Sequence, residues 1–359
     1  MIAKTLLNEL TSMNFVFLSQ TDKELGTYRI WFENLPAALD RLGYCALTNP
    51  ERMPNDVSCF IVSPEQDICA LRERFPKAII GTLKPQFFFR KDYKAKLSAI
   101  NFFIAGSRFE RDQILGLGCD VVVLRHVDSG IDIPALNLRV TKKEKNEVLL
   151  GYHGNRQHLE QLGGYIGEAL ESINRHHAIR LVAVYNIKKT GQWEKGRPRI
   201  PIEDVQWHLD SYAHHLLDCD IGIVPNISSH TNPRLIRKII DSKIFGVWRG
   251  SHQEDIVFRQ KLTSNAGRAF VFAQLKLPVV ACPIFEILET LVPAQAAFVA
   301  SSKAAWESEL TALIRDPSLR ERMGLNGYKW TSQNLSADRE AGILIEFLQS
   351  KFGLGPVES

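Results

Sequence analysis

The sequence contains no CxxC pair. Its six cysteines, Cys45, Cys59, Cys69, Cys119, Cys219 and Cys282, are scattered through 359 residues. A disulfide framework is therefore not expected, and a reducing cytoplasm is the default setting. Cys59 and Cys282 lie inside apolar runs and read as small buried hydrophobes. No stretch reaches the roughly 18 apolar residues of a membrane span. The segment from Met1 to Asn14 lacks the apolar core of a signal peptide. Charge of one sign is also scarce: 44 Lys and Arg stand against 40 Asp and Glu, a formal net charge of +4. That excess is too small and too dispersed for a nucleic-acid footprint, though it suits an anionic substrate or a loose approach to an acidic membrane surface. There is no GxxxxGK[ST] phosphate loop, no GxSxG nucleophile elbow, no internal repeat and no low-complexity tract. His208, His214 and His215 fall on one expected helix, but their spacing puts no two of them at i, i+4 on a common face, so a zinc site is not expected.

What is present is an ordinary globular balance, with 45% hydrophobic and 23% charged residues, in a chain long enough for two or three domains. Strand-length apolar runs alternate with helix-like stretches. Strands are expected at Asn14–Ser19, Val57–Val62, Ala78–Leu83, Asn101–Ala105 and Asp120–Leu124, with helices at Ile30–Leu42, Ile68–Phe75 and Arg108–Leu117. The runs are continuous rather than alternating, as in a parallel sheet covered on both faces. A charged stretch, Leu136–Glu147, then reads as a domain linker.

The pattern restarts with a strand at Val148–Tyr152 and a helix over His158–Arg175. A strand at Ile179–Tyr185 is followed by a polar loop, Asn186–Pro201, carrying Lys188, Lys189, Lys195, Arg197 and Arg199. Next are expected a helix at Ile202–Leu217, a strand at Ile221–Pro225, and a mixed region, Asn226–Thr263, with a short helix near Ile236–Phe245. Helix Gly267–Lys276, strands Leu277–Ala281 and Ala296–Val299, and helices Lys303–Arg315, Pro317–Asn334 and Asp338–Phe352 complete the chain. Gly163-Gly164-Tyr165-Ile166-Gly167 falls within an expected helix and reads as a packing feature. The fold class is α/β, built from two doubly wound domains, 1–140 and 148–335.

Ligands bind doubly wound sheets beyond the carboxyl ends of the strands, so the turns after strands are where chemistry is sought. Two stand out. Gly151-Tyr152-His153-Gly154-Asn155-Arg156 lets the backbone pass close to a ligand and leads into a helix, with Arg156 as a fixed charge. Lys261-Leu262-Thr263-Ser264-Asn265-Ala266-Gly267-Arg268 offers Ser264 or Asn265 as an N-cap, free amides, the positive end of a helix dipole, and two cations, Lys261 and Arg268. A departing diphosphate needs its developing charge stabilised, and cations with oriented amides do that without a metal. Trp193 and Trp207 could stack on a sugar or base, but read first as core or surface aromatics.

These segments resemble the GT-B glycosyltransferases, in particular the glycosyl transferases group 1 family. Leu217-Asp218-Cys219-Asp220-Ile221-Gly222-Ile223-Val224-Pro225 is similar to the helix–strand segment ending in a proline near the donor. Ser264-Asn265-Ala266-Gly267-Arg268, followed by Ala273-Gln274-Leu275-Lys276-Leu277-Pro278-Val279-Val280-Ala281, is similar to the donor helix and its following strand. Ile314-Arg315-Asp316-Pro317, Leu319-Arg320 and Met323-Gly324 resemble the ending that precedes the terminal helices. Leu150-Gly151-Tyr152-His153-Gly154 resembles the opening of that domain. In the N-terminal half, Gly26-Thr27-Tyr28-Arg29 with Leu42-Gly43-Tyr44, and Ala105-Gly106-Ser107 with Arg111-Asp112, resemble acceptor-side segments.

The resemblance implies two Rossmann-like domains facing a cleft, with the terminal helix, 338–353, crossing back to the N-terminal domain. It implies a nucleotide-sugar donor on the C-terminal domain and a glycan or lipid-linked acceptor on the N-terminal one. On this expectation Ser264, Asn265, Gly267, Arg268 and Lys261 hold the donor phosphates, and Gly154, Asn155 and Arg156 line the floor. His153 or the Gly26, Thr27, Tyr28, Arg29 segment faces the acceptor. The implied activity is a metal-independent, hexosyltransferase-like transfer from a UDP- or GDP-sugar, with no cofactor and no nucleic-acid partner. Its setting would be cytoplasmic, in bacterial surface polysaccharide synthesis, with peripheral contact to the inner face of the membrane allowed. One departure stands out. Many members carry two glutamates eight positions apart, and the positions aligning with them, near Thr263 and Val271, are not acidic here. Glu286 and Glu289 are the candidate substitutes for the carboxylate that holds the donor ribose. Two other readings stay open: a catalytically silent module of this fold that binds a glycan or protein, and a nucleotide-sugar epimerase.

Overall fold

The computed structural model describes residues 13–89, 91–128, 147–226 and 265–354. Most of the expected linker, the expected helix near Ile236–Phe245, and the candidate site residues Lys261 and Ser264 lie outside them.

By their contacts the residues form two compact units. The first comprises Met1–Asn137, Asn265–Gln274 and Gly327–Ser359, and the second Leu138–Ser264 and Leu275–Asn326. Each is built on a six-stranded sheet in which every pairing is parallel.

The first sheet holds β1 (Asn14–Leu18), β2 (Cys45–Thr48), β3 (Cys59–Val62), β4 (Ile79–Thr82), β5 (Phe102–Ala105) and β6 (Asp120–Val123), in the order β2-β1-β3-β4-β5-β6. The order in which strands are added reverses between β1 and β3, so the crevice beyond their carboxyl ends is the natural ligand side. The sequence leaves β1 through a polar loop into a helical turn, Gly26–Tyr28, a π-helical segment, Arg29–Asn34, and helix α1 (Leu35–Arg41). Helix α2 (Ile68–Arg74) and helix α3 (Arg108–Ile114) follow β3 and β5. β3 and β5 are buried along their whole length, which is why continuous apolar runs such as CFIV and FFIA form them.

The second sheet holds β7 (Val148–His153), β8 (Ile179–Tyr185), β9 (Ile202–Gln206), β10 (Ile221–Val224), β11 (Val279–Ala281) and β12 (Ala297–Val299), in the order β12-β11-β10-β7-β8-β9. This is the dinucleotide-fold strand order, with its switch point between β7 and β10. Its helices are α4 (Arg156–Leu159), α5 (Tyr165–Asn174), α6 (Ile187–Thr190), α7 (Tyr212–Leu217), α8 (Gly267–Gln274), α9 (Phe285–Glu289), α10 (Lys303–Arg315), α11 (Pro317–Asn334) and α12 (Ala337–Phe352) in chain order. Of these, α8, α12 and the last part of α11, from Gly327 on, group with the first unit.

The terminal helix earns its place there by burial. Ala341, Leu344, Ile345 and Leu348 join one core cluster with Phe15, Phe17, Leu35 and Leu39. At an apolar transfer free energy of about 25 cal/mol per Å², this face is what holds the end of the chain. Arg41–Asp338 and Asp120–Lys351 ion pairs flank it on the surface.

Three expectations need correction. Residues 202–217 are not one helix: they form β9, a turn, and α7. His208 therefore lies in the turn, while His214 and His215 lie on α7. The helix expected over His158–Arg175 is broken into α4, a 3-10 turn at Glu160–Gly163, and α5. A Cβ on Gly163 would stand 2.5 Å from the Gly196 Cα, so the break lets the loop after β8 dock against it. Finally, β2 was not anticipated at all.

Candidate functional site

The turn after β7 is closed upon itself. Gly154 takes φ +133, a conformation that side chains other than glycine rarely adopt. Its N–H donates to the Val184 carbonyl at 3.1 Å. Asn155 caps α4 by accepting from the Gln157 N–H at 3.1 Å, and the Tyr152 hydroxyl donates to the Asn155 carbonyl at 2.6 Å. Arg156 lies 3.6 Å from Glu160. His153, 7% exposed, ends β7 with its ring 5.6 Å from the Tyr212 ring.

The second turn opens α8. Asn265 is exposed, two positions before the helix, and its Oδ1 accepts from the Gly267 N–H at 3.2 Å, an Asx turn that leads the chain into α8 past the cap position, Ala266. The body of the helix, from Ala269 to Gln274, is buried. Gly267 and Arg268 are only partly so, and the helix end is the part that meets solvent. Val271, one of the positions where the resembling family carries glutamate, is 2% exposed within this helix. Packing thus selects an apolar residue there. Phe270 stacks on Trp330 at 5.6 Å, over which the Arg125 guanidinium lies at 5.9 Å.

A third set of residues borders the α8 end within the first unit; of these the sequence had singled out Gly106 and Ser107, but not His126 or Glu110. His126 follows β6, and its Cβ is the neighbour a Cβ on Gly267 would meet at 3.9 Å. The His126 ring packs edge-on to Trp31 at 5.1 Å. Its Cε1 would stand 2.6 Å from a Cβ on Gly106, so only glycine fits after β5. The Gly106 N–H donates to Glu110 Oε2 at 2.7 Å, while Ser107 caps α3 by accepting from the Glu110 N–H at 3.0 Å. This variant of the capping box holds the turn in place. Ser107 and Glu110 at that spacing were the available signal.

The loop after β6 is tied to the segment after β1. Arg29 pairs with Asp128 at 2.8 Å, and Asn34 donates to the Val127 carbonyl at 3.2 Å. Of the acceptor-side candidates, Arg29 thus enters this cluster, Tyr28 is buried in the core, and Gly26 and Thr27 open the helical turn at the switch point of the first sheet.

Glu286 is buried in the first turn of α9, and Glu289 is half-buried at its end. Both lie in the second unit. In the loop after β8, Tyr185 donates to Asp204 at 3.2 Å and accepts from the Trp193 N–H at 2.9 Å, and Arg197 pairs with Asp204 at 2.8 Å. Burial pushes the Tyr185 phenol up, so it remains a neutral donor there. Trp193 is core, whereas Trp207 is half-buried directly after β9. Among the described residues there is no cluster of three or more His, Cys, Asp and Glu side chains suited to a metal, and no helix long and apolar enough to cross a membrane.

No protein-family profile matches the chain. No curated protein sequence matches it either. Solved structures do. A glycosyltransferase from Rickettsia africae superposes with a TM-score of 0.61 at 12% identity, over 94% of this chain and 98% of that one. Sucrose-phosphate synthase from Thermosynechococcus elongatus gives 0.62 at 10% identity, over 95% and 99%. HepE of Anabaena, solved in complex with UDP, gives 0.59 at 13% identity, over 94% and 100%. At such identities the likeness is one of fold: this chain has the GT-B fold of two Rossmann-like domains.

Proposed function

We propose that this protein is a glycosyltransferase that moves a sugar from a nucleoside-diphosphate donor to a hydroxyl acceptor. The observation that carries the reading is the end of α8. There Asn265 turns the chain into a mostly buried helix whose first turn carries Gly267 and Arg268, so a cation-bearing residue falls at the positive pole of a helix on a GT-B fold. Lys261 and Ser264 complete the proposed diphosphate set.

In the reaction the bond between the anomeric carbon and the diphosphate oxygen breaks, and its electron pair leaves with the diphosphate. The acceptor oxygen bonds the anomeric carbon, and its proton passes to a leaving-group oxygen or to solvent. Arg268 and the positive pole of α8 stabilise the charge that develops on the leaving group, so no metal is assigned a role. Gly26, Thr27 and Arg29 are assigned to the acceptor, and Glu286 or Glu289 to the donor ribose. A glycan or lipid-linked acceptor, and a place in bacterial surface polysaccharide synthesis at the inner face of the membrane, fit this assignment.

Thermal unfolding with a panel of UDP-, GDP- and ADP-sugars tests it. A ligand at 100 times its Kd stabilises by about 2.7 kcal/mol, a readily measured shift. A donor that stabilises the protein and is turned over supports the reading. If no nucleotide sugar does either, the reading is lost. The buried Val271 favours a second reading, a catalytically silent module of the same fold. That reading expects stabilisation by a glycan or partner with no donor turnover.

A further inference from the structure

The connection between β8 and β9 departs from the usual form for a parallel pair. The two strands run side by side, Leu181 opposite Ile202 and Tyr185 opposite Gln206. Residues 186–201 must therefore travel back along the sheet, from its carboxyl to its amino edge. Such crossovers are usually helices. Here the only helix is the single turn α6, and the rest is an irregular strap at the β9 side of the sheet, where the strand order ends. Trp193 supplies the apolar anchor that a helix face would otherwise supply, since it is buried in the core of the second unit.

The strap carries five cations, Lys188, Lys189, Lys195, Arg197 and Arg199, and one anion, Glu194. Its formal charge equals the +4 of the whole chain, so the remaining residues sum to zero. Arg197 is committed inward, to Asp204 at 2.8 Å. The other four cations are exposed, and the backbone of each is held by a side chain. The Lys188 N–H donates to Gln206 Oε1 at 2.9 Å, the Lys189 N–H to Asn186 Oδ1 at 3.1 Å, and the Arg199 N–H to Glu171 Oε1 at 2.7 Å. The Lys195 carbonyl accepts from the Trp193 indole N–H at 2.8 Å. Between them Gly196 packs so closely that a Cβ there would stand 2.8 Å from the Glu160 carbonyl oxygen. Like charges gathered this way repel one another, and a merely solvated loop has no need to be fixed at each of them. A local conflict that the fold holds in place marks a functional surface.

We propose that the strap is a docking surface for an anionic lipid bilayer, met through headgroup charge alone. Three of the four exposed cations are lysines, compact point charges that suit many weak headgroup contacts rather than one bidentate pocket. The aromatic residue of the strap is buried with its N–H already spent, so nothing here stacks on a base, and a single helical turn is too short to read a groove. The cations run from Lys188 at the carboxyl edge of the sheet to Arg199 at its amino edge, a spread suited to a surface. The proposal goes beyond the donor chemistry and does not depend on it.

Co-sedimentation of the full-length protein with large vesicles tests it, using phosphatidylcholine alone, the same lipid with about 30 mol% phosphatidylglycerol, and a DNA duplex as a competing polyanion. Wild type is expected to partition onto the anionic vesicles and not the neutral ones. Each exposed cation removed is expected to lower that partition about 5-fold, so K188A/K189A and K195A/R199A each lose about 30-fold. K77A/R315A removes two exposed cations elsewhere and is expected to stay within about 2-fold of wild type. Salt at about 1 M, where the screening length falls to about 3 Å, is expected to release the protein. Unchanged melting temperatures confirm that the strap variants fold. The proposal is overturned if wild type ignores anionic vesicles, if the strap variants partition as wild type does, or if K77A/R315A loses as much as they do. Strap-dependent binding of the duplex without binding of vesicles would assign the surface to nucleic acid instead. Stabilisation by nucleotide sugars is expected to be the same in wild type and strap variants, so this proposal and the functional reading fail separately.

Discussion

The turns that open α4 and α8 are written in the same residues and do different things. Each has an asparagine whose Oδ1 accepts from the N–H two positions on, and each places an arginine in the first turn. After β7, however, the helix is four residues long and its arginine lies against Glu160 at 3.6 Å. A single turn has little macrodipole to offer. At α8 the helix has eight residues, most of them buried, so its dipole ends where solvent and ligand can reach it. Residue types alone cannot distinguish a turn that serves the fold from one that serves a ligand. The length and burial of the helix that follows can.

The sharpest way to break that contrast is to remove the two arginines. Arg268→Ala is expected to lower donor turnover about 100- to 1,000-fold, the loss that follows removal of one preorganised group from a developing charge. Its melting temperature should barely move. Arg156→Ala is expected to leave turnover nearly intact and to cost at most about 1 kcal/mol of stability, as a solvent-exposed i,i+4 pair does. Steady-state kinetics and thermal unfolding of both variants decide the matter. Equal losses of turnover would mean that both turns face the donor.

The glycine of the first turn comes next in size. Gly154→Ala must place a Cβ at φ +133, and strain of this kind costs about 1–3 kcal/mol. A lower denaturation midpoint with unchanged pyrophosphate affinity is the expected result. A selective loss of affinity would instead assign this turn to the ligand.

The limits of legibility follow from where strands lie in a sheet. Central strands such as CFIV and FFIA are buried on both faces and announce themselves as apolar runs. The two strands that escaped, CALT and IEDVQ, are both at sheet edges, with half-exposed or exposed residues throughout. In the second case Ile202, Val205, Leu209, Tyr212 and Leu216 also fall at helical spacing, so periodicity argued for a helix that backbone pairing with β8 overrides. With β9 unseen, Trp207 reads as a residue inside a helix rather than the first residue beyond a strand. The turn into α8 was legible because an asparagine that bonds the amide two positions on follows a local rule, though the cap position itself is Ala266. His126 was not, because its place beside Gly106 and Gly267 depends on chain separations that no local rule spans.

The smallest effects test the caps themselves. Removing an asparagine whose Oδ1 accepts from an amide at the start of a helix costs about 1 kcal/mol whatever else the residue does, so Asn155→Ala and Asn265→Ala should show similar, modest losses in denaturant midpoint. The two then diverge. Asn265 sets the turn into a helix end assigned to the diphosphate, and losing that turn's geometry should weaken pyrophosphate binding several-fold, since hydrogen bonds to charged groups contribute about 1.5–3 kcal/mol when made well. Asn155 caps a single turn already fixed by the Tyr152 hydroxyl at 2.6 Å, and its loss should leave pyrophosphate affinity where it was. Matched stability losses with unmatched affinity losses would separate capping from ligand binding in one pair of variants. A parallel loss of affinity in both would place the β7 turn beside the phosphates after all.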